Sequence, residues 1–262
     1  MTNVVITGST RGLGFCMALD FLKAGCNVTI SGHSESSFEK LGYLKEEYKN
    51  KILFVACDVR SEKEIENLWS KSYKQWGSVD IWINNAGIIS PTELVYKTSF
   101  NYVDDIIDTN IKGMIFGSQV AAKNMLEQGH GQIWNMEGYG SNNMIATKMV
   151  LYGTSKHALT YFTKGLAKEL AGSKVQAGRL WPSMMATDFV LKRPDGGAAS
   201  SLKDPRFVKI FNILGDRPET VSRFFVPRIL ANKKNNKRIA WLTYRKIVIR
   251  FLLSPIRKRK II

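Results

Sequence analysis

The chain has 262 residues, of which 44% are hydrophobic and 23% are charged, and its formal net charge is +16. A chain of this length can bury a substantial core, and no repeat or low-complexity tract divides it, so we expect one globular domain. The three cysteines, Cys16, Cys26 and Cys57, form no close pair and no cluster with histidine at metal-ligand spacing. This spacing excludes a disulfide framework and a zinc site, and it favours buried, reduced thiols.

The positive charge is concentrated at the C-terminal end, where thirteen basic residues and no acidic residue follow Glu219. The distribution of the charge is therefore more informative than its total. At the other end, the first predicted strand begins close to Met1 and leaves no room for a secretory signal peptide. We expect a cytoplasmic location.

Short β-branched runs and helical patterns alternate along most of the chain. Predicted strands cover 3–7, 27–31, 52–56, 79–83, 131–136 and 174–180, and predicted helices pass through Phe15, Leu19 and Leu22 and cover 36–49, 62–76, 99–127 and 150–171. Strands that alternate with helices form a parallel sheet that is covered on both faces. The pattern therefore predicts an α/β fold of the Rossmann type, with a doubly wound parallel sheet.

The alternation ends after Pro182, where turn-forming residues at 192–205 precede a helical pattern at 205–214. Ligands of open α/β sheets bind beyond the carboxyl ends of the strands, so an insertion after a late strand is well placed to cover a substrate. We interpret 188–218 as a substrate lid within a domain that spans 1–219. Residues 220–262 are predicted to form a basic, amphipathic C-terminal extension.

A glycine-rich turn, TGSTRGLG at 7–14, joins the first strand to the first helix. Glycines let the backbone approach a pyrophosphate closely, and free N–H groups at the helix N-terminus stabilise its negative charge. The turn therefore predicts a dinucleotide site. The residues predicted to contact the dinucleotide here are Gly8, Ser9, Thr10, Arg11, Gly12, Leu13 and Gly14.

The end of the second strand indicates which dinucleotide is bound. An acidic residue there would hydrogen-bond the ribose 2′-hydroxyl of NAD(H), but the sequence has Gly32, His33 and Ser34 at this point, with Arg11 in the neighbouring turn. A cationic and hydroxyl-bearing pocket suits a 2′-phosphate, so NADP(H) is favoured over NAD(H). The alternative for His33 is a solvated turn residue.

Tyr152 and Lys156 lie four residues apart in a predicted helix and therefore on one helical face. A nearby ammonium group would lower the pKa of the phenol and make proton exchange with an alcohol or carbonyl oxygen feasible near neutral pH. A tyrosine and a lysine at this spacing are common on solvated helices. The pair gains its weight from the glycine-rich turn earlier in the chain.

The glycine-rich turn and YGTSK at 152–156 together resemble the short-chain dehydrogenase/reductase family, and the resemblance covers roughly residues 3–190. It implies that Asn110 helps to hold a proton-relay water, and that Tyr152 and Lys156 are catalytic and also contact the cofactor. Further cofactor contacts that the resemblance implies are Asp58, Val59, Asn85, Ala86, Gly87, Pro182 and Thr187.

Two positions depart from the family pattern. The catalytic serine usually lies about thirteen residues before the tyrosine, but the chain reads WNMEGYGSNN there, with Glu137, Gly138 and Tyr139 near the expected place. Ser141 is the nearest serine, so we assign it the role of holding the substrate oxygen; its alternative is a loop serine that bonds its own backbone. Ser183 stands where the family usually has glycine.

The implied reaction is hydride transfer between a nicotinamide and a carbonyl or alcohol carbon, with Tyr152 as the proton donor in the reducing direction. WNMEGYGSNN, WPSMMATD and DRPETVSRFFVPRI resemble their counterparts in chlorophyll b reductases, plastid members of the family that reduce a formyl group on a chlorin ring. That resemblance suggests a large, flat, apolar carbonyl substrate. The alternative is a catalytically weak nucleotide-sensing or scaffold protein, which the displaced serine motivates. The family also implies a homodimer or homotetramer.

The tail at 244–262 mixes apolar and basic residues, as in YRKIVIRFLLSPI at 244–256, which RKRK follows. The apolar run is too short and too charged to span a bilayer, but it suits the surface of an anionic membrane. We therefore predict a peripheral membrane contact; the alternative is that these residues pack on the domain or on a sister subunit. Nucleic acid is not expected as a partner, because no aromatic-interleaved basic platform accompanies the charge.

Overall fold

A sheet of seven parallel strands forms the centre of the computed structural model, which describes residues 1–89, 91–191 and 197–262. The strands are β1 (Asn3–Ile6), β2 (Asn27–Gly32), β3 (Ile52–Ala56), β4 (Ile81–Asn84), β5 (Gly131–Met136), β6 (Val175–Trp181) and β7 (Arg238–Ala240). Their spatial order is β3-β2-β1-β4-β5-β6-β7, so the chain reverses its direction of winding between β1 and β4. Open α/β sheets bind ligands at such a switch point. The predicted doubly wound sheet is confirmed.

Helices cover both faces of this sheet. The α-helices are α1 (Gly12–Lys23), α2 (Tyr43–Tyr48), α3 (Glu62–Trp76), α4 (Phe100–Ile106), α5 (Gly113–Gln128), α6 (Val150–Glu169), α7 (Asp188–Leu191), α8 (Pro205–Leu214), α9 (Pro218–Leu230) and α10 (Tyr244–Leu253). Turns of 3-10 helix occur at Glu35–Leu41, Lys49–Lys51, Val95–Lys97 and Ser200–Lys203, and Ile107–Lys112 is π-helical.

Alternate residues of β1 face two separate buried clusters, because side chains in a strand point to opposite faces in turn. Val4 and Ile6 join the cluster that contains α1 and α9, where Phe21 and Phe225 are fully buried. Val5 joins the cluster on the other face, beneath α3, α5 and α6. Burying a phenylalanine contributes about 1.5–3 kcal/mol, so these clusters hold the strand ends at the switch point in fixed positions.

Two predicted helices differ from the structure. The predicted helix at 36–49 is wrong in its middle, because Gly42 separates a 3-10 turn from the short α2. The predicted helix at 99–127 is continuous in direction, but the π-helical segment interrupts its α-helical hydrogen bonding. Single π-helical turns inside α-helices occur frequently at functional sites, and this one contains Asn110.

The first part of the predicted C-terminal extension belongs to the sheet and its core. Val221, Phe225 and Ile229 of α9 are buried against α1, and β7 pairs with β6 from Arg179↔Arg238 onward. The basic residues of this region lie on the exposed side of α9 and between the elements, which is why the charge pattern alone suggested an extension. Only the residues after β7 lie outside the sheet and the helices that cover it.

The remainder of the tail folds back onto the loop between α8 and α9. Asp216, a buried carboxylate, accepts hydrogen bonds from Trp241 Nε1 (2.6 Å) and from Arg259 (2.6 Å), and Arg250 lies 2.7 Å away. The backbone of Asp216 also donates to Met184 O. Arg250 and Arg259 of the tail therefore pack on the domain. For these two residues, the structure agrees with the alternative interpretation of the tail.

Candidate active site

The predicted site residues meet at one edge of the sheet. Thr7 follows β1, Asn85 follows β4, Glu137 follows β5 and Pro182 follows β6, so all four positions lie at the carboxyl ends of adjacent strands. α6, which carries the catalytic pair predicted from the sequence, packs beside β5 and β6. This edge is the ligand-binding side of an open α/β sheet.

The turn after β1 forms a backbone cradle in which Gly8 and Gly14 pack too closely on the segment after β4 to carry side chains. Gly8 has a φ of +60°, and a Cβ atom there would lie 2.8 Å from Ala86 Cα. A Cβ atom at Gly14 would lie 2.5 Å from Asn85 Nδ2. The first internal hydrogen bond of α1 is donated by the N–H of Phe15, so the N–H groups before it are left for an anion. The cradle fits the pyrophosphate of a dinucleotide.

Two side chains of the turn serve the fold. The hydroxyl of Ser9 donates to Ile6 O (2.6 Å) and accepts from the N–H of Ser31 (2.9 Å), so it fixes the turn to β1 and β2. Leu13 is buried in the core cluster below α1. The cofactor contacts predicted for Ser9 and Leu13 would therefore be made by their backbone atoms and not by their side chains.

The other residues of the turn face the ligand side. The methyl group of Thr10 lies 2.6 Å from where a Cβ atom on Gly32 would be, so it covers the end of β2. Gly12 lies beside Thr187, whose Cγ2 is 3.8 Å from the corresponding Cβ position. Arg11 is exposed at the N-terminus of α1. The turn thus contacts the ends of both β2 and the segment after β6.

A charged cluster lies at the end of β2. His33 Nε2 is 3.3 Å from Asp58, and Arg60 donates to the same carboxylate at 2.7 Å and lies 3.4 Å from His33. Burial opposes ionisation of Asp58, but the hydrogen bonds from Arg60 outweigh it and lower the pKa of the carboxyl. Ser34 shares a hydroxyl contact with Ser36 at 2.9 Å. Arg60 was missed by the sequence analysis, although it directly follows the predicted Asp58-Val59 pair.

The segment after β4 ties the cradle to the centre of the sheet. Asn85 Nδ2 donates to Thr7 O (3.0 Å) and Gly8 O (2.9 Å), and the N–H of Ala86 donates to Thr7 Oγ1 (3.1 Å). Val59 lies under the start of α5, where a Cβ atom on Gly113 would approach its side chain to 2.7 Å. The hydrogen bonds of Asn85 and Ala86 fix the segment after β4 against the turn after β1, at the edge where the cofactor is predicted to bind.

Asn110 links the π-helical segment to α6 and to the segment after β4. Its Nδ2 donates to Ile88 O (2.9 Å) and Ser155 Oγ (3.1 Å), and its Oδ1 accepts from the N–H of Ile88 (2.8 Å). A Cβ atom on Gly87 would lie 3.1 Å from Asn110 Oδ1 and 3.6 Å from Lys156 Nζ. Asn110, Gly87 and Lys156 therefore share one buried corner.

Tyr152 and Lys156 are both buried in α6. Lys156 Nζ donates to Met136 O (3.1 Å) and lies 5.8 Å from the centroid of the Tyr152 ring. Burial raises the pKa of Tyr152, which is the opposite direction to the lowered phenol pKa expected from the sequence. Burial also lowers the pKa of Lys156 to about 8, with Glu137 opposing that change. The phenol is thus a protonated donor across the neutral range.

Ser141 contacts the backbone of α6. Its hydroxyl donates to Lys156 O (3.0 Å) and accepts from the N–H of Gly138 (3.1 Å), and the side chain is buried. The cause is a turn from Gly138 to Ser141, closed by the Ser141 N–H to Gly138 O hydrogen bond (3.2 Å), which directs the chain back to the helix. In this arrangement Ser141 holds Lys156 and does not present its hydroxyl to a substrate oxygen.

Glu137 points away from the catalytic tyrosine. Its carboxylate accepts from Thr160 Oγ1 (2.9 Å) and from Arg238 Nε (2.6 Å), and Arg179 lies 3.8 Å away. The positive charges of the two guanidinium groups balance the negative charge of this buried carboxylate. Arg238 lies 101 residues from Glu137 in the sequence, and no sequence pattern indicates that the two side chains pair.

Gly138, one of the residues near the expected place of the family serine, lies against the Tyr152 hydroxyl. A Cβ atom there would lie 2.6 Å from the Tyr152 hydroxyl and 3.1 Å from Lys156 Cγ. We expect Gly138→Ala to lower kcat/KM at least tenfold, about 1.4 kcal/mol, because the methyl group displaces the phenol oxygen. Gly165→Ala on the outer face of α6, where a Cβ atom would meet open space, is the matched control. Steady-state kinetics with equal rates for Gly138→Ala and wild type would contradict this geometry.

The lowered pKa of Lys156 predicts that the rate of carbonyl reduction depends on pH. A pKa of about 8 means that the ammonium form is present below that pH and is lost as the pH rises through it. We expect kcat/KM for carbonyl reduction, which reports on the free enzyme, to fall above pH 8 for this reason. Glu137→Gln removes the carboxylate that raises the Lys156 pKa, so the falling limb moves to lower pH. The exposed Glu66→Gln on α3 is the control, and an unmoved limb in Glu137→Gln would contradict the assignment.

The segment after β6 covers the tyrosine. Pro182 is buried, and Ser183 has a φ of +68°, the left-handed conformation in which glycine is favoured. Phe189 of α7 packs edge-to-face on Tyr152, with ring centroids 5.9 Å apart. Thr187 accepts the first hydrogen bonds of α7. Phe189 was missed by the sequence analysis because its contact with the tyrosine depends on the path of the chain after β6.

Part of the predicted lid at 188–218 is described and part is not. α7 and α8 lie at its two ends, and residues 192–196 between them lie outside the described residues. Phe207 and Phe211 of α8 lie with their ring centroids 5.7 Å apart. Of these two side chains, Phe211 is fully buried and Phe207 is partly exposed.

Comparison with known proteins adds three findings. A family model described as short chain dehydrogenase matches residues 2–196. A probable chloroplastic chlorophyll(ide) b reductase of Oryza sativa subsp. japonica is 32% identical over 98% of this chain and 53% of its own length. A chloroplastic chlorophyll(ide) b reductase of Arabidopsis thaliana is 32% identical over 87% of this chain and 65% of its own length. The chain thus spans less than two thirds of the length of these curated relatives.

A solved structure shares the architecture. The structure of ElxO with NADP bound is 28% identical, with a TM-score of 0.78, and the match covers 91% of this chain and 96% of that chain. The similarity therefore extends over the sheet, the cradle and most of the helices.

Proposed function

Since the chain belongs to the short-chain dehydrogenase family, we propose that it is an NADP(H)-dependent oxidoreductase that reduces the carbonyl group of a large apolar aldehyde or ketone. One observation carries the proposal. Gly87, Asn110 and Lys156 meet within hydrogen-bonding or contact distance although they lie far apart in the sequence, and Tyr152 lies one helical turn from Lys156. A cofactor cradle and a buried acid are thus placed side by side.

The proposed cofactor is NADP(H), with NAD(H) bound more weakly. β2 ends without an acidic side chain, and the imidazole of His33 and the guanidinium of Arg60 lie beside Gly32. A guanidinium group and a ring N–H donor suit a 2′-phosphate, which the ribose of NAD(H) lacks. The NADP-bound structure of ElxO, a relative in fold and sequence, supports the same choice. Gly8, Gly12 and Gly14 would hold the pyrophosphate, Asp58 and Val59 the adenine, and Pro182 and Thr187 the nicotinamide amide.

The bound cofactor supplies a hydride to the carbonyl carbon. Tyr152 donates its proton to the carbonyl oxygen, so that the two additions together give the alcohol. Burial keeps the phenol protonated until that transfer, and Phe189 excludes water from the ring. The charged form of Lys156 would stabilise the phenolate that remains. Asn110, which binds both backbone groups of Ile88, would help to hold the water through which a new proton reaches this corner.

Ser141 is proposed to position Lys156 rather than to touch the substrate. Its hydroxyl holds the carbonyl of Lys156 through a 3.0 Å hydrogen bond. We expect Ser141→Ala to lower kcat by less than tenfold and to destabilise the fold by about 1 kcal/mol, the net value of one hydrogen bond. Kinetics and thermal unfolding measured on the same preparation test both parts. A hundredfold loss of kcat with an unchanged unfolding temperature would contradict this proposal. It would instead support the role expected from the sequence, in which Ser141 holds the substrate oxygen.

A large, flat, apolar carbonyl compound is the proposed substrate class. Gly138 places no side chain against the Tyr152 hydroxyl, and the described lid contributes Phe189, which packs on the Tyr152 ring, and the partly buried Phe207 of α8. The two relatives named as chlorophyll(ide) b reductases support a ring-borne formyl group as the reacting centre. We place the enzyme in the cytoplasm at a membrane surface, and we propose a homodimer or homotetramer, as is common in the family.

The competing function is a nucleotide-sensing or scaffold protein without turnover. The displaced serine favours it, because the Ser141 hydroxyl donates to Lys156 O. Consumption of NADPH with a panel of apolar aldehydes and ketones separates the two. Turnover that is faster with NADPH than with NADH, and faster with large apolar carbonyls than with small polar ones, supports the reductase. Tight NADPH binding without consumption by any panel member would establish the sensor.

A further inference from the structure

The outward side of the tail carries a contiguous apolar surface. Leu252 is 71% exposed and Ile256, just beyond α10, is 85% exposed. The tail face, as we name it, consists of Tyr244, Val248, Ile249, Phe251, Leu252, Leu253 and Ile256. Single exposed apolar side chains are ordinary on protein surfaces, but a group of seven on one helix and its end marks a contact with another surface.

The domain holds α10 by its opposite side. Lys246 lies over the Trp241 ring, 2.8 Å from its centroid, and Arg250 and Arg259 pair with the buried Asp216 at 2.7 Å and 2.6 Å. The N–H groups of Ile261 and Ile262 donate to Asn212 Oδ1 (2.6 Å and 3.0 Å). These contacts fix the orientation of the helix, so the tail face is held outward rather than free to turn toward the core.

The charged residues of the tail itself are all basic. Arg245, Arg257, Lys258 and Lys260 are exposed beside it, and no acidic residue follows Glu219. A second copy that docked on the same face would bring like charges together, which opposes self-association there. A surface that is both apolar and anionic complements the face. The boundary of a bilayer that contains anionic lipids has both properties.

We propose that the tail face binds the surface of an anionic membrane, with its apolar side chains among the headgroups and its basic border on the lipid phosphates. α10 lies in the plane of the surface; none of the helices in the described ranges is both long enough and apolar enough to cross a bilayer. α10 packs on α8 of the predicted lid, so a bound tail places the lid beside the lipid phase where apolar carbonyl compounds dissolve. The contact itself does not depend on the proposed reaction.

Co-sedimentation of the full chain with vesicles tests this proposal. We expect it to bind vesicles of equal parts phosphatidylcholine and phosphatidylglycerol at least tenfold more tightly than phosphatidylcholine alone, and to be released by salt, because screening weakens surface charge interactions. Two double variants, Leu252→Gln with Ile256→Gln and Lys258→Glu with Lys260→Glu, should each lower the apparent affinity at least tenfold. All four side chains are exposed, so the fold is expected to remain intact, as circular dichroism can verify.

Matched variants elsewhere control for general hydrophobicity and charge. Phe100→Gln removes an exposed apolar residue, and Lys71→Glu with Lys74→Glu on α3 changes the net charge by the same amount as the tail pair. Both should bind as the wild type does. Equal binding by the tail variants and wild type, equal binding to neutral and anionic vesicles, or binding to duplex DNA in place of vesicles would each overturn the proposal. A chain without reductase activity that still binds anionic vesicles would refute the proposed reaction alone.

Discussion

Tyr152→Phe is expected to remove nearly all carbonyl reduction while leaving NADPH affinity almost unchanged. The substitution deletes one oxygen, and the remaining ring keeps its edge-to-face contact with Phe189. General acid catalysis contributes about 10²–10⁴-fold, so kcat should fall by about a thousandfold. The cofactor cradle is built from the turn after β1 and the segment after β4, neither of which depends on the phenol oxygen. Steady-state kinetics and an NADPH titration measure the two effects separately.

The control for this substitution is Tyr161→Phe, since Tyr161 lies exposed on the same helix. It should retain wild-type kcat and wild-type NADPH affinity. Full activity in Tyr152→Phe would end the assignment of Tyr152 as the proton donor. A parallel loss of NADPH affinity would contradict the expectation of an intact cofactor site, and it would show that the phenol oxygen contributes strongly to cofactor binding as well.

Asp216→Ala is expected to have the largest effect on stability. Asp216 is buried and accepts from Trp241, Arg250 and Arg259, so its removal leaves two largely buried guanidinium groups without their carboxylate. Breaking a buried ion pair from one side costs about 3–5 kcal/mol. For a chain of this size 1 kcal/mol corresponds to roughly 2–4 °C, so we expect the unfolding temperature to fall by about 10 °C.

The same substitution should weaken substrate binding. The backbone of Asp216 pairs with Met184 and Ala186, which directly precede Thr187 and the aromatic cover of Tyr152. Loosening this loop should raise KM for the carbonyl substrate more than it lowers kcat. Asp104→Ala, at an exposed carboxylate of α4, should change the unfolding free energy by no more than about 0.5 kcal/mol. An unfolding temperature of Asp216→Ala within 2 °C of the wild-type value, about 1 kcal/mol or less, would contradict this prediction. It would show that the contacts between the tail and Asp216 do not stabilise this loop.

The sheet could be predicted from the sequence because its signals are local. Each of the first six strands is a short segment that is buried or partly buried, and the first three are rich in β-branched or other apolar residues, as parallel strands buried on both faces are. β7 escaped because it has only three residues, Arg238–Ala240, and its first residue is charged. That charge is neutralised by Glu137 at the end of β5, a pairing that exists only once the sheet has formed.

The cofactor cradle was predictable for a similar reason, since Gly8, Gly12 and Gly14 follow a strand and open a helix. The surroundings of the catalytic pair were not. The direction of the Ser141 hydroxyl depends on its contact with Lys156 O, fifteen residues away, and the pKa of Tyr152 depends on how completely the fold buries it. Arg60 and Phe189 enter the site through loop paths that no periodicity encodes. Residue spacing thus locates the chemistry, and packing determines which groups are free to perform it.

Transfer of deuterium from labelled cofactor tests the central claim most directly. NADPH that carries deuterium on its transferring carbon would be incubated with the protein and a large apolar aldehyde, and the product would be analysed by mass spectrometry and NMR. A reductase places one deuterium on the former carbonyl carbon and takes the hydroxyl proton from water by way of Tyr152. Cofactor that remains fully labelled and unconsumed while bound, across the whole panel of apolar carbonyl compounds, would contradict the proposed function.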